Sequence, residues 1–257
     1  MNAKPIAVVG TEERARGGGS NARVVTNALM LVNFSFFIIS VVVTFRLTGQ
    51  IQFLDLIGPG FPMSVLDLLG GKDAYAIRVE GEWWRLVSAG MLHAGIFHLA
   101  MNSWVLKDVG PMVEEFFGSY RMALIYILGS IAGFTASSWW RPQSLSVGAS
   151  AGICALIGAM IAYGYLQRSS IGIAIRNHFI QWMLYMLIIG LMITSIDQAA
   201  HIGGLIGGFA VAWIVGERRL FDDWKEKLIR GGFILTLIIV AYALVQMFRQ
   251  LLPSAQG

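Results

Sequence analysis

Apolar and polar positions are segregated along this chain on the scale of whole helices. Runs free of Asp, Glu, Lys and Arg lie at 28–45, 86–106, 122–140, 142–167, 177–196, 198–216 and 231–248, each 18 to 26 residues long. About 20 helical residues cross a hydrocarbon core of about 30 Å, so each run predicts a transmembrane helix. A closed β-barrel is the other spanning solution, but it needs alternating segments of about ten residues and not continuous apolar runs. The pattern therefore predicts an all-α, polytopic membrane protein with seven spans.

The segments between the runs complete the organisation. Residues 1–26 are polar, contain Gly17-Gly18-Gly19-Ser20, and read as a flexible tail. The longest connection, 47–84, mixes apolar pieces with single acids and is broken by Gly58-Pro59-Gly60-Phe61-Pro62 and by Gly70-Gly71. Short amphipathic pieces lying in the membrane interface fit that pattern. Residues 217–230 are charged and read as a linker into a seventh helix over 231–250, with the Trp83-Trp84 and Trp139-Trp140 pairs as interface anchors.

Composition removes the soluble alternatives. The chain has 257 residues, 56% of them apolar and 13% charged, and its mean hydropathy is +0.66. A soluble domain carries roughly 25% charge. Nineteen Lys and Arg exceed fifteen Asp and Glu, for a net charge of +4. With the N-terminus inside, thirteen of the 19 basic residues fall on inner segments and six on outer ones, so the positive-inside bias predicts a cytoplasmic N-terminus and an outer C-terminus. The basic excess is thus an orientation signal, and no nucleic-acid partner is expected. A bacterial plasma membrane is the expected location, because Glu12 and Glu13 argue against a transit peptide.

Few polar groups interrupt the runs, and those that do carry the candidate chemistry, since ionisable groups inside spans are costly and usually face the bundle interior. They are His98 with Asn102 in the second span, Ser150 in the fourth and His201 in the sixth. In the predicted topology these three helices all enter from outside, and Asn102 lies one turn beyond His98 on the same face. The four groups then share one depth. A serine hydroxyl becomes a nucleophile when a base within hydrogen-bond reach takes its proton, and His201 is that candidate base. The Ser150 amide, the His98 imidazole and the Asn102 side chain are candidate oxyanion donors. Gly148 and Gly152 on one side and Gly203 and Gly204 on the other offer small faces along which the fourth and sixth helices can touch. Asp197, one turn before His201, reads as a helix N-cap and not as a triad member. His93 reads as a loop-orienting residue, and His178 lies on the wrong side. Cys154 is the only cysteine, which excludes a disulfide within the chain and a thiolate metal cage. No metal or cofactor is expected.

These residues resemble the rhomboid intramembrane serine proteases. The likeness rests on His93-Ala94-Gly95-Ile96-Phe97-His98-Leu99-Ala100-Met101-Asn102, Gly110-x-x-x-Glu114-x-x-x-Gly118, Gly148-Ala149-Ser150, Ala200-His201-x-Gly203-Gly204 and Trp84-Arg85. The resemblance implies a six-helix catalytic core over 27–216 plus an extra C-terminal helix, a Ser150–His201 dyad, and oxyanion donors at His98 and Asn102. It also implies that the substrate is a transmembrane segment of another membrane protein, cut near its outer end. Glu114 and Arg85 read as structural polar anchors. Two positions depart from the family pattern: Ala151 stands where a glycine is usual, and Cys154 where an aromatic often packs on the imidazole. A catalytically silent rhomboid-like protein that binds membrane helices is the alternative, and a small-solute transporter is a third reading, weakened by the absence of two matching interrupted halves.

Overall fold

A computed structural model describes residues 23–51, 56, 60–193, 196–217 and 223–252. Most of the polar tail, residues 52–55 and 57–59 of the long 47–84 connection, residues 194–195 and residues 218–222 of the linker lie outside them. Ten α-helices are described: α1 Val24–Thr48, α2 Met63–Leu68, α3 Ala74–Arg78, α4 Arg85–Ser88, α5 Ile96–Phe117, α6 Ser119–Trp140, α7 Ser150–Gln167, α8 Ser170–Met192, α9 Gln198–Val215 and α10 Asp223–Leu251. A single 3₁₀ turn, Ala89–Met91, follows α4.

Among the described residues, five helices are long and apolar enough to cross a membrane: Val24–Thr48, Ser119–Trp140, Ser150–Gln167, Gln198–Val215 and Trp224–Leu251. Helices α5 and α8 are as long but more polar. Helix α5 carries Lys107, Asp108, Glu114 and Glu115, and α8 carries Arg176, Asn177, His178 and Gln181. The run at 86–106 is not one helix. Its first part forms α4 and the 3₁₀ turn, the chain breaks at Leu92–Gly95, and α5 then continues past the charged residues to Phe117.

Helix α7 is the centre of the bundle, with residues 151–162 all buried. Helix α9 packs chiefly against α7 and α6, and α8 packs on α7 while barely meeting α9. These contacts are backbone-close because glycines supply them. A β-carbon on Gly204 would collide with the Ala151 carbonyl, one on Gly208 with that of Ala155, and one on Gly203 would stand 2.6 Å from the Ala136 methyl of α6. Gly203 and Gly207 therefore face α6, whereas Gly204 and Gly208 face α7. The small face of α9 serves two neighbours at once. Gly152 does not take part: its open space is filled by the Tyr126 ring, 2.6 Å from where a β-carbon would be.

Two buried polar anchors tie the ends. Glu114 accepts from the Val25 amide (2.9 Å), the Thr26 amide (3.2 Å), Thr26 Oγ1 (3.1 Å) and Ser119 Oγ (2.8 Å), and so caps α1 from α5. Gly110, one turn earlier, leaves room for Thr26, whose Oγ1 would be 2.7 Å from an added β-carbon. This capping is why α1 begins at Val24, inside the expected tail. Arg85 forms a separate anchor, donating to Glu82, to the Asp67 carboxylate and to the Asp67 and Gly71 carbonyls. Its neighbour Trp84 is buried against Gly70 and is not an interface anchor, while Trp83 stacks on Tyr242 of α10.

Candidate active site

Each candidate residue stands near the start of a helix. Gly148 precedes α7 with φ +135°, a conformation that side-chain-bearing residues rarely adopt. It is a turn residue outside the helix, so it does not form a packing pair with Gly152. A β-carbon here would lie 2.7 Å from both Cε1 and Nε2 of His98 and 3.6 Å from Ser150 Oγ. The His98 ring thus occupies the place of the missing side chain, with the Ser150 hydroxyl beside it.

The orientation of His98 follows from its other nitrogen. The Ala94 amide donates to Nδ1 at 3.3 Å, which places the proton of the neutral ring on Nε2, an atom packed against Gly148. Asn102 is buried, and its side-chain amide donates to the His98 carbonyl at 2.8 Å. One of its two N–H groups is therefore used within α5. His93 is fully buried, its ring 5.2 Å from that of His98.

Ser150 and His201 are brought to the same end of α7 and α9 through their neighbours. At Gly133 of α6, an added β-carbon would meet the Ala200 carbonyl at 2.5 Å, the Ala151 methyl at 3.0 Å and the Gly204 amide at 3.1 Å. Ala151 and Ala200 also share one buried cluster with Ala89 and Phe134. His98 and His201 are within electrostatic reach of each other. His201 Nδ1 is buried and has no hydrogen-bond partner among the described residues. Asp197 does not serve it: the carboxylate accepts from the Ala200 amide at 3.1 Å, capping α9, and from Ser137 Oγ. Cys154 is fully buried.

Comparison with known proteins adds one finding to this geometry. The family model for the rhomboid domain matches residues 80–218, more than half of the chain. The chain belongs to the rhomboid family. It is 37% identical over 163 residues to a protein named rhomboid protease GluP from Bacillus subtilis, covering 63% of this chain and 32% of that protein. It is 36% identical over 156 residues to the mitochondrial RHOMBOID-like protein 6 of Arabidopsis thaliana, covering 59% and 50%. RHOMBOID-like protein 2 of the same plant is 34% identical over 214 residues, covering 76% and 66%. The chain thus spans from about a third to just under two thirds of these relatives' own lengths. Rhomboid membership and the five apolar helices make it a multi-pass membrane protein.

In this rhomboid protein the departure at Ala151 has a definite place. Its backbone lies against Gly204 of α9, while its methyl points toward Gly133 of α6. Sequence inspection missed a group of residues beside the site. Lys72 is fully buried, with Nζ donating to the carbonyls of Arg141 (3.0 Å) and Ser144 (2.6 Å) and to Ser144 Oγ (3.3 Å). Burial lowers its pKa, partly opposed by the charges of Asp197 and Asp73. Burial alone would raise the pKa of Asp197, but bonds from Ser137, Ser146 and the Ala200 amide, with the charge of Lys72, hold it below the usual carboxylate value. The available signal was a lysine directly after Leu68-Leu69-Gly70-Gly71.

Proposed function

We propose that this protein is an intramembrane serine endopeptidase that cuts transmembrane helices of other membrane proteins near their outer ends. The observation that supports it most is the close packing of the His98 Nε2 edge against Gly148, with Ser150 Oγ beside the same point. In this reading His201 takes the Ser150 proton as Oγ bonds to the scissile carbonyl carbon. The proton then passes to the departing amide nitrogen as the C–N bond breaks. Water hydrolyses the resulting ester by the same proton route. The oxyanion is met by the Ser150 amide, His98 Nε2 and the free N–H of Asn102, each donor contributing about 2.7–4 kcal/mol to the transition state. The chemistry draws on side chains and water, with no metal or cofactor.

The proposed frame is a six-helix core, α1 and α5 to α9, with α10 as a seventh span. The N-terminus is cytoplasmic, the C-terminus is outside, and the setting is a bacterial plasma membrane. A substrate helix enters where α8 leaves α9. There the Gln198 side chain fills the space over Gly190 and donates to the Leu187 carbonyl at 3.2 Å, a contact that opening would release.

The test is cleavage of a transmembrane substrate by purified protein in liposomes, alongside labelling by a fluorophosphonate probe. The parent is expected to do both and Ser150→Ala neither. Full cleavage by Ser150→Ala would overturn the proposal. A parent that captures the helix but neither cuts it nor labels would be the silent binder.

A further inference from the structure

The segment 141–148 leads from α6 into Ser150, and a buried lysine and a half-buried aspartate hold it from opposite sides. From the outer connection comes Lys72. Its ammonium binds the Arg141 and Ser144 carbonyls, and its backbone pairs with Ser146 in both directions, Lys72 N to Ser146 O at 2.8 Å and Ser146 N to Lys72 O at 3.2 Å. From α9 comes Asp197, with the Ser146 hydroxyl in reach of its carboxylate and Ser137 of α6 donating to it. Arg141 adds a bond to the Ile196 carbonyl at 3.0 Å, just before Asp197. The far end of the segment is held by the Gly148 amide on the Ala89 carbonyl at 2.9 Å.

A lysine with no exposed surface is costly unless its charge is compensated. Here three oxygen contacts from one short segment and a carboxylate beyond them supply that compensation, so the segment cannot shift without uncovering the ammonium. The same segment places Ser150, and the Asp197 cap lies one turn before His201.

We infer that Lys72 and Asp197 are positioning residues of the Ser150–His201 site. The ammonium fixes the segment that delivers Ser150, the carboxylate joins that segment to the helix that carries His201, and the separation of the two catalytic groups is set by this one polar knot. The inference rests on the protease proposal above.

Four variants test it: Lys72→Met, which keeps length and removes charge; Lys72→Arg, which restores charge; Asp197→Asn, which keeps an acceptor for the Ala200 amide; and Ser146→Ala, which keeps the backbone pairing. Each is measured for kcat and KM on a transmembrane substrate, for the rate of Ser150 labelling by a fluorophosphonate, and for thermal unfolding in detergent. Lys72→Met and Asp197→Asn are expected to lower kcat and the labelling rate about tenfold or more, with KM changed less than about twofold. Lys72→Arg should recover part of the loss. Ser146→Ala, the mildest change, should show the same kcat-only pattern at smaller size and reports even if Lys72→Met does not fold. Because both residues act through one segment, the Lys72→Met, Asp197→Asn double variant should fall little further than the worse single one. Folded variants that label and cleave at the parent rate, or that lose activity only through KM, would overturn the inference alone. A parent that does not label at Ser150 would overturn the protease proposal and this inference with it.

Discussion

Gly148 and His98 show how single residues shape this site. The positive φ at Gly148 turns the chain into α7, and the missing side chain leaves the space into which His98 presents Nε2. Among the described residues His201 has no comparable support, because its Nδ1 meets no partner there and Asp197 is committed to capping α9. A base of this kind works only as the neutral imidazole, since the imidazolium has no lone pair to accept the serine proton. Cleavage is therefore expected to fall as the medium is acidified through the His201 transition. Initial rates from mildly acidic to alkaline buffer check this, and a flat profile would contradict the role given to His201. Ser150, His98, Asn102 and His201 were legible because polar groups are rare within apolar runs. Lys72 was not, because a lysine in an outer connection looks solvated until its neighbours are known.

At the scale of elements, the three-way contact of α6, α7 and α9 decides how closely Ser150 and His201 approach. Glycine on each helix allows backbone to meet backbone, which in a membrane replaces the hydrophobic drive available in water. Gly208 tests this contact at a distance from the chemistry, because a β-carbon there runs into the Ala155 backbone. Gly208→Val is expected to destabilise the folded protein by about 1–3 kcal/mol, the usual cost of overpacking. Thermal unfolding in detergent measures it, and an unchanged midpoint would show that α9 is less tightly seated than the structure indicates. The glycine-rich sequence of α9 announced a close contact. It did not announce two partners, because residues one step apart on a helix point about 100° away from each other and can face different neighbours.

On the scale of the molecule, α10 is fastened at both ends. Near its start Glu226 binds the buried Arg121 of α6 at 2.7 Å, and near its end Gln250 donates to Glu82 at 2.8 Å while Tyr242 stacks on Trp83 at 5.0 Å. It thereby links one end of α6 to the 47–84 connection, which carries Lys72 and leads into Arg85. The proposed orientation puts those two ends on opposite sides of the membrane. With Cys154 replaced by serine, a cysteine introduced at Lys4 should resist a membrane-impermeant thiol reagent added to intact cells, and one at Leu252 should react. The reverse pattern would invert the topology drawn from the charges.

The sequence by itself determined that this chain lives in a membrane, that it is helical, and which four polar side chains to watch. Each of these depends on composition and local spacing, which can be counted along the chain. Only the tertiary structure decided that the run at 86–106 breaks before His98, that Gly148 is a turn residue beside an imidazole, and that a buried lysine and a capping aspartate hold the segment before Ser150. Those features are made by groups distant in sequence, and their energies depend on burial and on oxygen partners that exist only once α6, α7, α9 and the 47–84 connection have met.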